Sequence, residues 1–377
     1  MIRNGAFLVL WAFLFAQFSH ATEPVQPTDV SADLRAIVVE SQVPGLVAAL
    51  VNTDRIVASG VAGFRRRGSP AMISIDDKFH LGSCSKAMTA TVVAMFVEEN
   101  ELSWETPVTA IFPECFDTQS HDWGQATITH LLNHSSGSPH DLRDNGLWKR
   151  LWQRKGSETD QRLLLVRSVF SGKPVDPPGT KYVYSNAGYA IAGAIVERIS
   201  RESWESILKQ RLFDPLGMES AGFGPPGSIG MLEQPRGHRE NGEVVEPGIE
   251  ADNPPAIAPA GTVHCSIGDW AKFIQLHLDA AAGKPRLLSA ESFQKLHTPA
   301  NDLSPAYGMG WGVVDRDWAG GRTLTHNGTN TMWFCAVWMS PQKGVAVMAA
   351  TNQGGKAAEK AVDDAVSMLI RKHLPNS

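Results

Sequence analysis

From Ala87 to Val97 the chain is almost continuously apolar, and Ser83 and Lys86 stand directly before that run. The spacing predicts a helix over Ser83 to Glu99. A helix that is apolar on every side presents no face to water and must be covered all round. The fold must therefore place other layers about this one helix. It must also draw the Lys86 side chain out of water, because Lys86 sits at the head of the buried segment.

The flanking sequence divides by period. Ser31 to Ser41 reads as a helix, with Leu34, Ile37 and Val38 at helical spacing, and Pro44-Gly45 closes it. Leu46 to Val51 and Ile56 to Phe64 read as a hairpin across Asn52-Thr53-Asp54. Ile128 to Asn133, Asp160 to Phe170, Asn186 to Ile199 and Trp204 to Phe213 read as helices, joined by Pro/Gly-rich loops at Lys173 to Gly179 and Gly222 to Gly230. Thr323 to Thr325, Met332 to Met339 and Val345 to Ala350 read as strands, and Ala357 to His373 as an amphipathic helix. This order predicts an α/β (α+β) fold, an antiparallel sheet flanked by helices with an all-helical lobe inserted. The expected lobes are residues 29–100 with 260–377, and 101–259.

The first 21 residues read as an export signal. Arg3 supplies positive charge, Ala6 to Phe18 has the length of a signal core and is too short to span a bilayer, and Ser19-His20-Ala21 fits a cut after Ala21. No Cys lies near that cut, which argues against a lipid anchor. The mature chain is expected to be exported, periplasmic or secreted, with no membrane span. Removing Arg3 leaves 33 basic against 39 acidic side chains, an ordinary balance that argues against nucleic acid as partner. Cys84, Cys115, Cys265 and Cys335 are too scattered for a disulfide framework, and buried free thiols are expected for most.

A serine hydroxyl is a poor nucleophile until a base takes its proton. A Lys three positions on along a helix lies on the same face and can reach it. The chain carries S-x-x-K four times: Ser83/Lys86, Ser206/Lys209, Ser292/Lys295 and Ser340/Lys343. Ser206 and Ser292 fall on amphipathic helices among charged neighbours, and Ser340 to Lys343 is a turn between strands. Only Ser83 opens a buried helix. There a backbone N–H of the first turn is available to an oxyanion, the helix end favours negative charge, and burial favours neutral lysine.

Two further motifs bear on the same chemistry. Tyr184-Ser185-Asn186 follows the turn Pro177-Pro178-Gly179 and precedes a helix. Tyr184 can shuttle a proton, and Asn186 can hold Lys86 or a substrate carbonyl. The bland alternative is a core Tyr184 and a helix-capping Asn186. His326-Asn327-Gly328-Thr329 ends a β-rich run. Gly328 would let a substrate backbone approach, or Asn327-Gly328 is simply a hairpin turn.

Ser83, Tyr184 and His326 follow one another at gaps of 101 and 142 residues. The ordered triple resembles the penicillin-recognising serine hydrolases, specifically the class C β-lactamase-like family, which includes carboxylesterases, D-aminopeptidases and D-alanyl-D-alanine carboxypeptidases. Ile128 to Gly137, Pro178-Gly179 through Tyr189, Pro259-Ala260-Gly261 and Tyr307-Gly308-Met309-Gly310-Trp311 are similar to further landmarks of that family. The resemblance spans roughly the whole mature chain and implies a β-lactamase/transpeptidase-like fold. It implies that Ser83 is acylated, that Lys86 is its base and Tyr184 the acid/base partner. It further implies that Asn186 orients substrate and that the N–H groups of Ser83 and Thr329 form an oxyanion hole. No cofactor or metal is implied.

The chain departs from the family's β-lactamases at the third motif, where Lys-Thr-Gly is replaced by His326-Asn327-Gly328. A histidine is a weaker and pH-dependent anchor for a substrate carboxylate. That favours small ester or amide substrates over β-lactams, with D-Ala-D-Ala carboxypeptidase or β-lactamase action as the alternative. Ser138 to Lys155 and Gly222 to Ala258 are the loops expected to shape specificity. A metal hydrolase built on His130 and His134 lacks the Glu expected after His130, so capping or packing is expected there. An α/β-hydrolase lacks its G-x-S-x-G elbow, since Cys265-Ser266-Ile267-Gly268 follows His264 and not Gly. A non-enzyme reading, a slowly acylating penicillin-binding sensor, remains the rival of another class.

Overall fold

The computed structural model describes Met1 and residues 26–116, 122–143, 146–299 and 302–374. The export signal expected over residues 1–21 lies outside the described residues beyond Met1. The chain opens with β1 (Thr28–Asp29), α1 (Ser31–Ser41), β2 (Gly45–Asn52), β3 (Ile56–Gly63), β4 (Lys78–His80) and α2 (Ser85–Glu98). Helices follow: α3 (Val108–Ile111), α4 (Ile128–Leu132), α5 (Leu147–Leu151), α6 (Glu158–Phe170), α7 (Asn186–Ser200), α8 (Trp204–Leu208) and α9 (Asp214–Leu216). The short strands β5 (Gly222–Phe223), β6 (Gly237–His238) and β7 (Val244–Val245) lead to α10 (Ala258–Gly261), β8 (Val263–Ser266), α11 (Ile267–Ala281) and α12 (Ala290–His297). The chain closes with β9 (Gly312–Arg316), β10 (Gly321–Thr329), β11 (Phe334–Ser340), β12 (Val345–Thr351) and α13 (Lys356–His373).

Seven strands form one sheet in the order β1-β3-β2-β12-β11-β10-β9, antiparallel throughout except where β1 joins β3. The two ends of the chain meet at β2 and β12, the centre of that sheet. β2 shows why. Alternate residues point to opposite faces of a strand, and here both faces are apolar and buried. Leu46, Ala48 and Leu50 pack with Leu34 of α1 and with Ala358, Val362 and Leu369 of α13. Val47, Ala49 and Val51 belong to a larger core that also takes in α2, α7 and α11.

Within that larger core α2 is buried from Ser85 through Phe96, against α7, α10 and α12. The expected all-round apolar helix is present, with one change at its start. Gly82–Cys84 forms a separate 3₁₀ turn and α2 begins at Ser85. The turn lies against β10 and β11. Gly82 has φ +46°, and a Cβ there would stand 2.3 Å from Thr329 N. Only glycine permits this approach of the turn to the strand.

Trp204 to Phe213 is not one α-helix. It is α8 followed by a π-helical turn at Lys209–Phe213. Asn327-Gly328 is not a hairpin turn either. Both residues are paired within the sheet, Asn327 with Ala336 and Gly328 with Cys335, and the chain reverses after Thr329. The four cysteines are free thiols, with Cys84, Cys265 and Cys335 buried. Among the described residues no helix is long and apolar enough to cross a membrane, and no His/Cys/Asp/Glu group has the makings of a metal site.

Candidate active site

The Gly82–Cys84 turn sets Ser83 at the mouth of α2, and Lys86 follows one turn on with its side chain wholly buried. Lys86 Nζ has three oxygen partners: Asn186 Oδ1 at 2.8 Å, the Ala260 carbonyl at 2.7 Å and Ser83 Oγ at 3.0 Å. The first two can only accept. A neutral amine has two N–H bonds and one lone pair. The two carbonyl oxygens take both N–H bonds, and the lone pair is left facing the Ser83 hydroxyl. Burial pushes Lys86 well below its ordinary lysine range, toward this neutral form.

Tyr184 donates to Ser83 Oγ from the other side, at 2.8 Å. Burial pushes its hydroxyl above the usual tyrosine range, and the bond to Ser83 opposes this only in part. Tyr184 is therefore held as a neutral proton donor. Ser185, not Asn186, caps α7, its Oγ accepting from Gly188 N–H. Asn186 is thereby free to turn its side chain to Lys86, and the capping alternative for it does not hold.

The stretch Ile128 to Gly137 supports Tyr184 from behind. The His134 carbonyl accepts from Val183 N–H at 2.7 Å, and His134 Nδ1 accepts from Ser185 N–H at 3.1 Å. The chain has four tyrosines, and rings of all four, Tyr182, Tyr184, Tyr189 and Tyr307, lie within 5.7 Å of the His134 ring. Burial pushes His134 well below the ordinary histidine range. His130 instead forms a reciprocal cap with Thr127 at the start of α4. The two histidines do not converge.

His326 and Gly328 face inward on β10, while Asn327 and Thr329 are exposed. His326 Nδ1 lies 2.6 Å from the Asn327 carbonyl and Nε2 lies 2.9 Å from the Tyr307 hydroxyl. A carbonyl only accepts, so Nδ1 carries a proton, and Nε2 meets Tyr307. Both nitrogens are used within the protein. The expected ionic anchor at His326 is thus tied back by its neighbours. Gly328 also serves a different end from the one expected: a Cβ there would stand 1.9 Å from the Leu81 carbonyl. The close approach seen in the structure is that of the protein's own turn.

The other three S-x-x-K pairs do not form contacts of this kind. Ser206 bonds Glu202 and Lys209 bonds Asp214; Ser292, which is buried, bonds Glu98; Ser340 bonds the Ala319 carbonyl. Sequence reasoning missed Tyr307 and the Ala260 carbonyl as members of the cluster. Both lie in stretches already marked as landmarks, which was the available signal.

A sheet with terminal elements on one face, a buried helix on the other and a serine, lysine and tyrosine gathered at its mouth define a serine hydrolase of the β-lactamase/transpeptidase fold. A Beta-lactamase family model matches residues 30–372, and the chain belongs to that family of serine hydrolases, which act on amide and ester bonds. It is 30% identical over 333 residues to penicillin-binding protein 4 of Amycolatopsis lactamdurans, across 85% of this chain and 83% of that one. An octameric penicillin-binding protein homologue from Pyrococcus abyssi is similar in structure, with TM-score 0.73 and 22% identity over 91% of this chain and 78% of the other. A D-stereospecific amidohydrolase from Streptomyces sp. matches with TM-score 0.70 and 22% identity over 88% and 96%. These two likenesses speak to the fold.

Proposed function

We propose that the protein is an exported hydrolase that forms an acyl-enzyme on Ser83 and turns over small ester or amide substrates. The observation that carries the reading is the hydrogen count at Lys86: two carbonyl acceptors consume its N–H bonds and leave its lone pair for the Ser83 proton.

The steps follow from the geometry. Lys86 Nζ takes the proton as Ser83 Oγ attacks the substrate carbonyl carbon. The resulting oxyanion lies between the N–H groups of Ser83 and Thr329, which the missing Cβ of Gly82 allows to stand close together. Tyr184 gives its proton to the leaving oxygen or nitrogen as the acyl–leaving-group bond breaks, and the Lys86 ammonium restores it. Water then bonds the acyl carbon as it loses a proton to the same groups, the bond from that carbon to Ser83 Oγ breaks, the proton returns to Ser83 Oγ, and the acid leaves. Loss of one oxyanion donor raises such a barrier by about 3–4 kcal/mol. Asn186 holds Lys86 in place, and in this reading it also orients the substrate.

Substrate preference follows from β10. With both His326 nitrogens engaged inside the protein, the strand lacks the free cation that would hold a β-lactam or D-Ala carboxylate. Esters and uncharged amides suffer least from this. Beyond Thr329 the strand runs into a cavity of about 430 Å³ walled by Trp148, Trp152, Arg239 and Thr331. Trp148, Trp152 and Arg239 come from the two loops expected to shape specificity, and Thr331 from the turn after β10. Neither this cavity nor a second of about 380 Å³, by Arg154, Glu205 and Phe223, is lined by Ser83, Lys86 or Tyr184; the first adjoins the site through Asn330, which follows Thr329.

Two measurements test this. Fluorophosphonate should label the wild type and not Ser83→Ala. Chelator-sensitive activity that survives Ser83→Ala would sink the mechanism. In a panel of a short-chain nitrophenyl ester, a chromogenic cephalosporin and a D-Ala-D-Ala peptide, the ester should turn over fastest. Labelling without turnover of any of the three would favour a slowly acylating sensor. Hydrolysis of the cephalosporin alone would overturn the reading of His326.

A further inference from the structure

A buried polar chain links the two proposed oxyanion donors from behind. Gly82 N–H, one residue before Ser83, donates to His80 Nδ1 at 3.1 Å. His80 Nδ1 must therefore be unprotonated, so Nε2 carries the proton and donates to Asp252 Oδ2 at 2.8 Å. The other carboxylate oxygen, Asp252 Oδ1, accepts from Asn330 Nδ2 at 3.2 Å. Asn330 directly follows Thr329. His80, Asp252 and Asn330 are 0%, 4% and 5% exposed. A buried network of this kind fixes geometry only when each member is satisfied.

We infer that Asp252 and His80 are positioning residues that set the separation of the Ser83 and Thr329 amides, Asn330 being the link on the strand side. The inference rests on the proposed roles of Ser83 and Thr329. Neither His80 nor Asp252 touches substrate in it; each acts through the backbone.

Two backbone features show that both ends need holding. Gly82 stands at φ +46°. Thr331 stands at φ +75°, a conformation a β-branched residue rarely adopts and one that needs support from its surroundings. Asn330 Oδ1 accepts from Met332 N–H at 3.2 Å and Thr329 Oγ1 accepts from Thr331 N–H at 2.9 Å, so side chains on both sides clamp that turn. Asp252 lies in the 222–258 loop, 172 residues from His80 and 78 from Asn330. A loop expected to shape specificity thus also reaches under the chemistry. Asp252 faces the network on one side and borders the cavity beyond Thr329 on the other, so loop movement and oxyanion geometry are mechanically joined.

The test is a polarity swap. Asn330→Asp alone sets two carboxylates against each other. Asp252→Asn alone leaves the Asn330 amide facing an amide that can no longer accept from both partners. The double variant Asp252→Asn/Asn330→Asp restores a donor facing an acceptor between these two side chains and an acceptor for His80 at unchanged net charge, while Asn253 N–H and the Ala251 carbonyl lose the partners they have in the wild type. Each single variant should lower kcat and the fluorophosphonate labelling rate by about 10- to 100-fold, part of the loss seen when an oxyanion donor is removed. KM should stay within about threefold, since substrate binding elsewhere is untouched. The double variant should recover part of the loss and exceed both parents, the remainder reflecting the unmatched Asn253 N–H and Ala251 carbonyl.

Singles that melt earlier but keep wild-type kcat when folded would make the network merely structural and overturn the inference, as would a double variant no better than its parents. If a charged single fails to fold, Asn330→Ala gives the same readout, and unchanged kcat there is equally fatal. The proposed function is judged separately: loss of labelling in Ser83→Ala alongside unaffected network variants would overturn this inference alone.

Discussion

Lys86 and His326 are both buried bases near Ser83, and they are wired in opposite senses. Lys86 spends its N–H bonds on Asn186 and Ala260 and turns what remains toward Ser83. His326 spends both nitrogens on Tyr307 and its own strand and has nothing left for the cleft. The difference separates two tasks. Proton transfer is fully specified by groups the protein itself supplies. Recognition is left to the exposed edge of β10 and to the loops beyond it.

The largest effects should fall on the Lys86 side. Lys86→Met should reduce kcat/KM for a nitrophenyl ester by ~10³–10⁵-fold with the fold intact by circular dichroism. A loss below tenfold would mean that something other than Lys86 takes the Ser83 proton. Tyr184→Phe should come next, at ~10²–10³-fold, and the loss should be smaller for nitrophenolate, a leaving group that needs no proton, than for an amide. Equal losses on both substrates would remove Tyr184 from the leaving-group step.

Legibility in the sequence divides along the same line. Ser83 and Lys86 are three apart, so helical geometry alone joins them. Tyr184 and Asn186 flank Ser185, and only the structure showed that Ser185 takes the cap and frees Asn186. The Ala260 carbonyl has no side chain to announce it. His80, Asp252 and Asn330 meet across long stretches of chain, where no local periodicity operates. Asn327-Gly328 misleads because turn propensity is a local preference, and pairing with Ala336 and Cys335 on β11 overrides it. The central meeting of β2 with β12 is long-range in the same way, although each strand was visible by its own composition.

Burial of bases should also appear in stability. Burial lowers Lys86 far below its unfolded value, and holds His238 and His264 at about 4 and His297 at about 3. In each case the unfolded chain binds the proton first, so unfolding free energy rises with pH across the window between folded and unfolded values. For His238 and His264 that window runs from about pH 4 to about pH 6.5; for Lys86 it extends from its depressed value up to about pH 10.4. Acidification from pH 7 to pH 4 should therefore lower the urea midpoint sharply, and Lys86→Met should flatten the slope only in the upper window, by about 1.4 kcal/mol per pH unit. An unchanged upper slope would mean that Lys86 is charged in the folded protein.

The smallest expected effect lies on the His326 side and is the most informative about recognition. Tyr307→Phe removes the partner of His326 Nε2 without touching Ser83, Lys86 or Tyr184. Ester turnover should change by less than about tenfold. The released nitrogen should then be available to a substrate carboxylate, so KM for a D-Ala-D-Ala peptide should fall. A drop in KM for the peptide with none for the ester would show that the tie to Tyr307 is what withholds His326. Parallel changes in both would mean that Tyr307 acts by packing against His134 and the other tyrosines, and that the carboxylate preference is decided elsewhere on β10.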